Sequence, residues 1–286
     1  MRGNQSSLTA AGIAIARAIE SVKPAQERIC CDPYARRFAP GWLYALTALF
    51  VKIGLTERRG PGVMGFLAAR ERYIDDVLQG FLEDGLQQLV ILGAGYDSRT
   101  YRFDGLKGQV EVFEVDHPAT QADKLAKLQD IFKTLPAHVT YVPVDFNSQT
   151  LEQCLPESGY DPTQKTLFIW QGVTEYLTAA AVDDTLRFVV KHSAAGSAIV
   201  FDYIYRQVLD GVQKHAEVSN MRRYRFMTGE GLTFGIEEGT VAAFLEKRGF
   251  SQVRDMDATG LKQAYFTGSN AGRKIASGYG IAVAMI

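Results

Sequence analysis

Val90-Ile91-Leu92-Gly93-Ala94-Gly95-Tyr96-Asp97-Ser98-Arg99 is the stretch that decides how this chain folds. Leu89, Val90, Ile91 and Leu92 form a short unbroken apolar run, as expected of a strand buried on both faces of a parallel sheet. Gly-x-Gly follows at once. Glycines there allow backbone angles and a close approach that a side chain would block. A second apolar run ends on an acidic pair, Glu114 and Asp116, roughly 20 residues on. An acidic group at that place suits ribose hydroxyls.

Outward from this stretch the same rhythm repeats. Apolar runs at 110–115, 139–144, 166–170, 197–203, 250–256 and 279–286 bring the strand candidates to seven. Helical periodicity fits between them at 118–135, 178–193 and 238–248. The alternation predicts an α/β, Rossmann-like fold with a mostly parallel seven-stranded sheet. Residues 1–87 read as helical: 8–22, a segment opened by Asp32-Pro33 and closed by Pro40-Gly41, then 42–53 and 63–82. We expect one domain, with 1–87 as a helical cap, 88–203 and 238–286 as the sheet core, and 204–237 as an inserted lid. That long connection carries Lys214, His215, Arg222, Arg223 and Arg225.

Composition narrows the classes. The chain has 286 residues, 47 % of them apolar and 22 % charged, the ordinary globular mix. Lysine plus arginine is 31 against 32 acidic residues, a net charge of −1. No global field then draws in nucleic acid or an anionic membrane, so neither is expected as a partner, and charged ligands must be recognised locally. Three cysteines, two of them adjacent, give no disulfide framework, and four scattered histidines give no metal-ligand spacing. The polar start lacks the apolar core of a signal peptide, and 42–53 is too short to span a bilayer. A soluble cytoplasmic protein, monomer or homodimer, is the expectation.

The Gly-x-Gly turn serves either a dinucleotide or S-adenosylmethionine. A nicotinamide fingerprint prefers a third glycine where this chain has Ser98, and a diphosphate prefers a turn without the carboxylate of Asp97. An acidic loop better suits a cofactor with a cationic sulfonium and no phosphate.

Several blocks taken together resemble one family. They are Ala69-Arg70 with Ile74-Asp75-Asp76, the glycine turn through Arg99 with Tyr101-Arg102, Phe113-Glu114-Val115-Asp116-His117-Pro118, Val144-Asp145-Phe146, and Gln171-Gly172-Val173-Thr174-Glu175-Tyr176-Leu177. In this order they resemble the leucine carboxyl methyltransferase family, including its bacterial and fungal small-molecule branch. The resemblance implies S-adenosylmethionine as cofactor and the class I methyltransferase fold. It implies that Arg70 grips the cofactor's methionine carboxylate with Arg17 as a second basic residue. Gly93 and Gly95 approach the methionine portion, Asp97 lies in the turn, Asp116 takes the ribose, and Asp145 with Phe146 flank the adenine. The fourth-strand block begins Gln171-Gly172 where the family has Glu-Gly, so the chain keeps the size and loses a charge.

The reaction expected is O-methylation, with the carboxylate of a small organic acid as acceptor. Such a group is ionised at pH 7, its pKa being about 4, so no protein base is required. The protein must align the acceptor and exclude water. Anchoring of the acid falls to Tyr203, Tyr176 and one or two of Arg222, Arg223 and Arg225. Two other readings remain at this point: an NAD(P)-dependent oxidoreductase, and a cofactor-binding regulatory protein without turnover.

Overall fold

The computed structural model describes residues 8–145, 149–211 and 232–286. Five helices come first: α1 (Leu8–Ser21), the single turn α2 (Ala35–Phe38), α3 (Gly41–Lys52), α4 (Leu55–Arg59) and the long α5 (Val63–Glu83). Strands and helices then alternate: β1 (Gln88–Leu92), α6 (Arg99–Arg102), β2 (Glu111–Asp116), α7 (Pro118–Phe132), β3 (Val139–Pro143), α8 (Leu151–Glu157), β4 (Thr166–Trp170), α9 (Ala179–Lys191) and β5 (Ala198–Ile204). The chain closes with α10 (Arg206–Leu209), α11 (Val241–Glu246), β6 (Ser251–Met256), α12 (Ala258–Tyr265) and β7 (Tyr279–Met285).

All seven expected strands are present, in the order β3-β2-β1-β4-β5-β7-β6. The first five run parallel, and β7 is antiparallel to both its neighbours. Strand period explains the layers. Val90 and Leu92 face a core shared with Val182 and Leu186 of α9 and Leu245 of α11. Leu89 and Ile91 face the opposite core, with Phe66, Ile74 and Leu78 of α5 and Leu261 of α12. Every residue of β1, β4 and β5 is buried, which is why these runs read as unbroken apolar stretches.

Helix limits differ from the periodicity at a few places. The 118–135 segment ends at Phe132 because Lys133 takes φ +64 and turns the chain. Asp32 caps the second segment as expected, its Oδ1 accepting from Tyr34 N at 2.9 Å and Ala35 N at 3.0 Å. Helices α8 and α12 were not expected, although both carry a start signal. Thr150 and Gln153 form a capping box, and Asp257 accepts from Gly260 N at 2.8 Å. Their apolar faces are too short for periodicity to show.

Helix α5 lies hard against the loop before β7. A Cβ on Gly65 would stand 2.1 Å from the Lys274 carbonyl oxygen, whereas one on Gly80, in the same helix, would meet nothing within 4 Å. Backbone cannot yield as a side-chain tip can. Gly65→Ala should therefore cost about 1–3 kcal/mol, while Gly80→Ala should gain about 0.5–1 kcal/mol from helix propensity. Urea midpoints of the two variants check this; equal shifts would show that α5 does not depend on the close approach.

Candidate cofactor and substrate site

The sheet order reverses between β1 and β4, and at such a point the strand ends open a crevice. A cavity of about 550 Å³ lies there. Its wall comes from the ends of adjacent strands: Leu92 and the Gly93–Gly95 turn after β1, Asp116 ending β2, Asp145 after β3, and Trp170 and Gln171 at β4. Ile13 and Arg17 of α1 and Arg70 of α5 close it from the cap.

Most of the residues singled out from sequence meet here. Arg17, Arg70, Gly93, Gly95, Asp97, Asp116, Asp145, Gln171 and Tyr176 all line this one cavity. Phe146, Arg222, Arg223 and Arg225 lie outside the described residues. Of the 204–237 connection the structure describes only the two ends. The returning end is tied to the cavity rim, Thr233 N donating to the Glu175 carbonyl at 2.7 Å.

Tyr203 does not belong to the site. It sits at the end of β5, but period two turns its ring away from the cavity. Its hydroxyl donates to Asp255 on β6 at 2.9 Å, and its ring is buried in the α9 core. Its neighbour Asp202 points the other way, to α5.

The glycine turn is sterically required. Gly93 has φ +65, and a Cβ there would fall 2.4 Å from Val173 Cγ2. Gly95 donates its N–H to Asp116 Oδ2, and His117 N donates to Asp116 Oδ1 at 2.6 Å. Two backbone donors thus fix the Asp116 carboxylate at the cavity wall. Burial raises its pKa above the usual aspartate value, against those two hydrogen bonds. Glu114 serves the fold: it accepts from Thr100 and Tyr101 and pairs with Lys124 at 2.7 Å.

Beneath the turn lies a buried ion cluster that was not foreseen. Glu71 of α5 stands 3.1 Å from Arg99 and 2.9 Å from Arg102, with Arg17 at 4.0 Å. Asp75 joins Arg99 and Arg102, Asp97 pairs with Arg99, and Asp32 holds Arg17 at 2.9 Å. Burial opposes the charge on Glu71, yet the guanidiniums of Arg99, Arg17 and Arg102 hold its pKa far below the usual glutamate value. Asp97 also accepts from Arg99 N at 2.8 Å, so its carboxylate shapes the turn.

Gln171 Nε2 donates to Glu71 Oε2 at 3.0 Å. A negative charge here comes from α5 rather than from the β4 loop. Arg70 pairs with Asp202, whose other oxygen accepts from Gly172 N at 2.6 Å. Three buried polar atoms have no hydrogen-bond partner in this corner: Arg70 Nε, Gln171 Oε1 and Glu175 Oε2. Such atoms are uncommon in a native interior and point to a partner supplied by a ligand. Burial, reinforced by Asp202, raises the Glu175 pKa to about 8.

Sheet order, crevice and acidic second strand together define the class I methyltransferase fold. Solved structures agree at the level of fold. A provisionally named methyltransferase of Thermobifida fusca, 12 % identical, covers 99 % of this chain and 96 % of its own with a TM-score of 0.60. A Streptomyces avermitilis protein of the duf574 family, 11 % identical, covers 98 % and 97 % with a TM-score of 0.56. The leucine carboxyl methyltransferase family model matches residues 10–190, and the chain belongs to that family. Relatives include Bacillus subtilis YktD, provisionally named an S-adenosyl-L-methionine-dependent methyltransferase, 32 % identical over 70 % of this chain and 65 % of its own. A Rhodococcus jostii protein with the same provisional name is 34 % identical over 68 % and 65 %. The chain thus matches just under two thirds of those relatives' length. Among the described residues no helix is long and apolar enough to cross a membrane, and no group of three or more His, Cys, Asp or Glu could hold a metal ion.

Two outcomes follow from the charges. Gln171→Glu would set a second carboxylate against Glu71, so its urea midpoint should fall at pH 7 and recover partly at pH 5, where one of the pair takes a proton. An unchanged midpoint at both pH values would deny the contact. Glu175 is held above its ordinary value of 4.5. Its protonated form stabilises the fold, and that contribution is lost as pH rises through about 8. Glu175→Gln should therefore melt progressively higher than the parent as pH goes from 5 to 9, and a constant difference across that range would remove the assignment.

Proposed function

We propose that the chain is an S-adenosylmethionine-dependent O-methyltransferase whose acceptor is the carboxylate of a small organic acid. The observation that carries the cofactor half is the pairing of Asp116 with two unsatisfied atoms at one cavity. Asp116, fixed by Gly95 and His117, offers a carboxylate to ribose hydroxyls. Arg70 Nε and Gln171 Oε1, a spare donor and a spare acceptor, fit the carboxylate and the ammonium of an amino-acid end. An NAD(P) reading fits less well. The turn before α6 is filled by Asp97, which takes the Arg99 N–H that a diphosphate would need.

When bound, S-adenosylmethionine supplies an electrophilic methyl group. The rest of the work assigned to the chain is binding and alignment. Trp170 and Val173 wall the cavity beyond the glycine turn, and Tyr176 and Leu177 continue that wall toward the returning 232–237 segment. Apolar walls exclude water from an in-line displacement. An ionised carboxylate needs no base, which leaves the protein the task of anchoring an anion. The reading assigns that anchor to one or two of Arg222, Arg223 and Arg225, with Tyr176. Their connection, 204–237, would serve as a lid on a single-domain enzyme.

Isothermal calorimetry separates the parts. S-adenosylmethionine should bind and NAD should not. Methylthioadenosine, which lacks the amino-acid end, should bind at least about tenfold more weakly, since charged hydrogen bonds are lost. Asp116→Asn should weaken the cofactor by on the order of tenfold to a hundredfold. Labelled methyl transfer to a panel of organic acids tests the acceptor. Transfer only to phenols or amines would sink the carboxylate assignment and leave the cofactor reading standing; NAD binding with no S-adenosylmethionine binding would sink both.

A further inference from the structure

Helix α3 has one charged residue in twelve, Lys52, and buries none of them fully. One face, Leu43, Tyr44, Ala48 and Val51, packs on Ile15 and Ile19 of α1. The other carries Trp42, Leu46, Leu49 and Ile53, spaced four, three and four apart. They are 71 %, 41 %, 51 % and 56 % exposed and are four of the five exposed large apolar side chains among the described residues. Scattered apolar residues need no explanation, but a row of four on one helix does.

The surroundings say what covers it. Between residues 36 and 59 the chain has five basic residues and one acidic one. Arg36 and Arg37 stand exposed before the helix, and Lys52, Arg58 and Arg59 stand exposed after it. The single acid, Glu57, spends its Oε1 on the Gly62 N–H at 2.8 Å. A chain of net charge −1 has therefore gathered a surplus of four positive charges around its most apolar exposed strip. A second copy docked by a two-fold axis would bring that basic rim against itself, which costs affinity. An anionic surface meets both features at once.

We propose that α3 is an interfacial helix that docks this protein on an anionic phospholipid surface. Trp42, Leu46, Leu49 and Ile53 enter the headgroup boundary, and Arg36, Arg37, Lys52, Arg58 and Arg59 meet lipid phosphates. The helix is too short to span the bilayer and lies in its plane. This revises the expectation, drawn from net charge, that no membrane is a partner. It does not depend on the reaction the cavity performs.

The test is co-sedimentation of the full chain with vesicles of phosphatidylcholine alone or with about one third phosphatidylglycerol. Binding should require the anionic lipid, fall in high salt, and shift the fluorescence of exposed Trp42 to the blue; the other tryptophan, Trp170, is buried. L46D/L49D should lose binding, and R58E/R59E should lose about tenfold or more. Both variants should keep the parent circular dichroism spectrum, because these side chains support no core. Absence of binding to the anionic vesicles overturns the proposal, as does binding undiminished in L46D/L49D. A concentration-dependent dimer abolished by L46D/L49D, with no vesicle binding, would assign the face to a second copy instead.

Discussion

The buried carboxylate of Glu71 is the point on which the rest of the site depends. It gathers Arg17 from α1, Arg99 and Arg102 from α6, and the amide of Gln171 from the end of β4. Asp32, Asp75 and Asp97 complete the cluster. Three guanidiniums face four carboxylates, and the position that could add a fifth carboxylate holds a neutral amide. Withdrawing one partner from such a buried set leaves a stranded charge and costs roughly 3–5 kcal/mol. The geometry it secures is the approach of cap to sheet. Helices α1 and α5 have no backbone hydrogen bonds to the strands, so side chains alone fix how closely Arg17 and Arg70 come to the Gly93–Gly95 turn.

Gln171 gains its meaning from this cluster. Set against the family pattern alone, it is a lost charge. Beside Glu71 it is a charge moved: the carboxylate comes from α5, and the β4 loop contributes the amide that orients it. The amide's remaining oxygen is then left unpaired at the cavity wall. One donor, Arg70 Nε, and one acceptor, Gln171 Oε1, thus stand ready because the ionic demands of their neighbours are already met.

How far the sequence carries depends on the range of the interaction. Strands β1 to β7 were legible because burial on both faces leaves unbroken apolar runs, and the glycine turn because Val173 forbids a side chain at Gly93. Asp116 was legible from its distance after the turn. Glu71 was not, since its partners lie 28, 31 and 100 residues away and nothing local marks it. The error at Tyr203 has a nearer cause. Placement at the end of β5 was sound, but alternation along a strand sends Tyr203 to the α9 core and Asp202 toward α5. An aspartate inside a buried strand requires a partner, and Arg70 on the buried face of α5 is that partner. Period two applied to β5 would have chosen Asp202 over Tyr203.

Helix α1 joins the two ends of this molecule's chemistry. Its Ile13 and Arg17 face the cavity, and its Ile15 and Ile19 carry α3. Because 3.6 residues make a turn, these sets occupy different faces of one short rod. Arg17 cannot swing independently, being held by Asp32 and the Tyr96 carbonyl of the glycine turn. A displacement of α3 along the surface therefore reaches the cavity only by moving α1 as a body, against the Arg17 contacts. The cap is accordingly more than a cover for the sheet: it sets the distance between an apolar, basic outer face and the strand ends where the ligand is held.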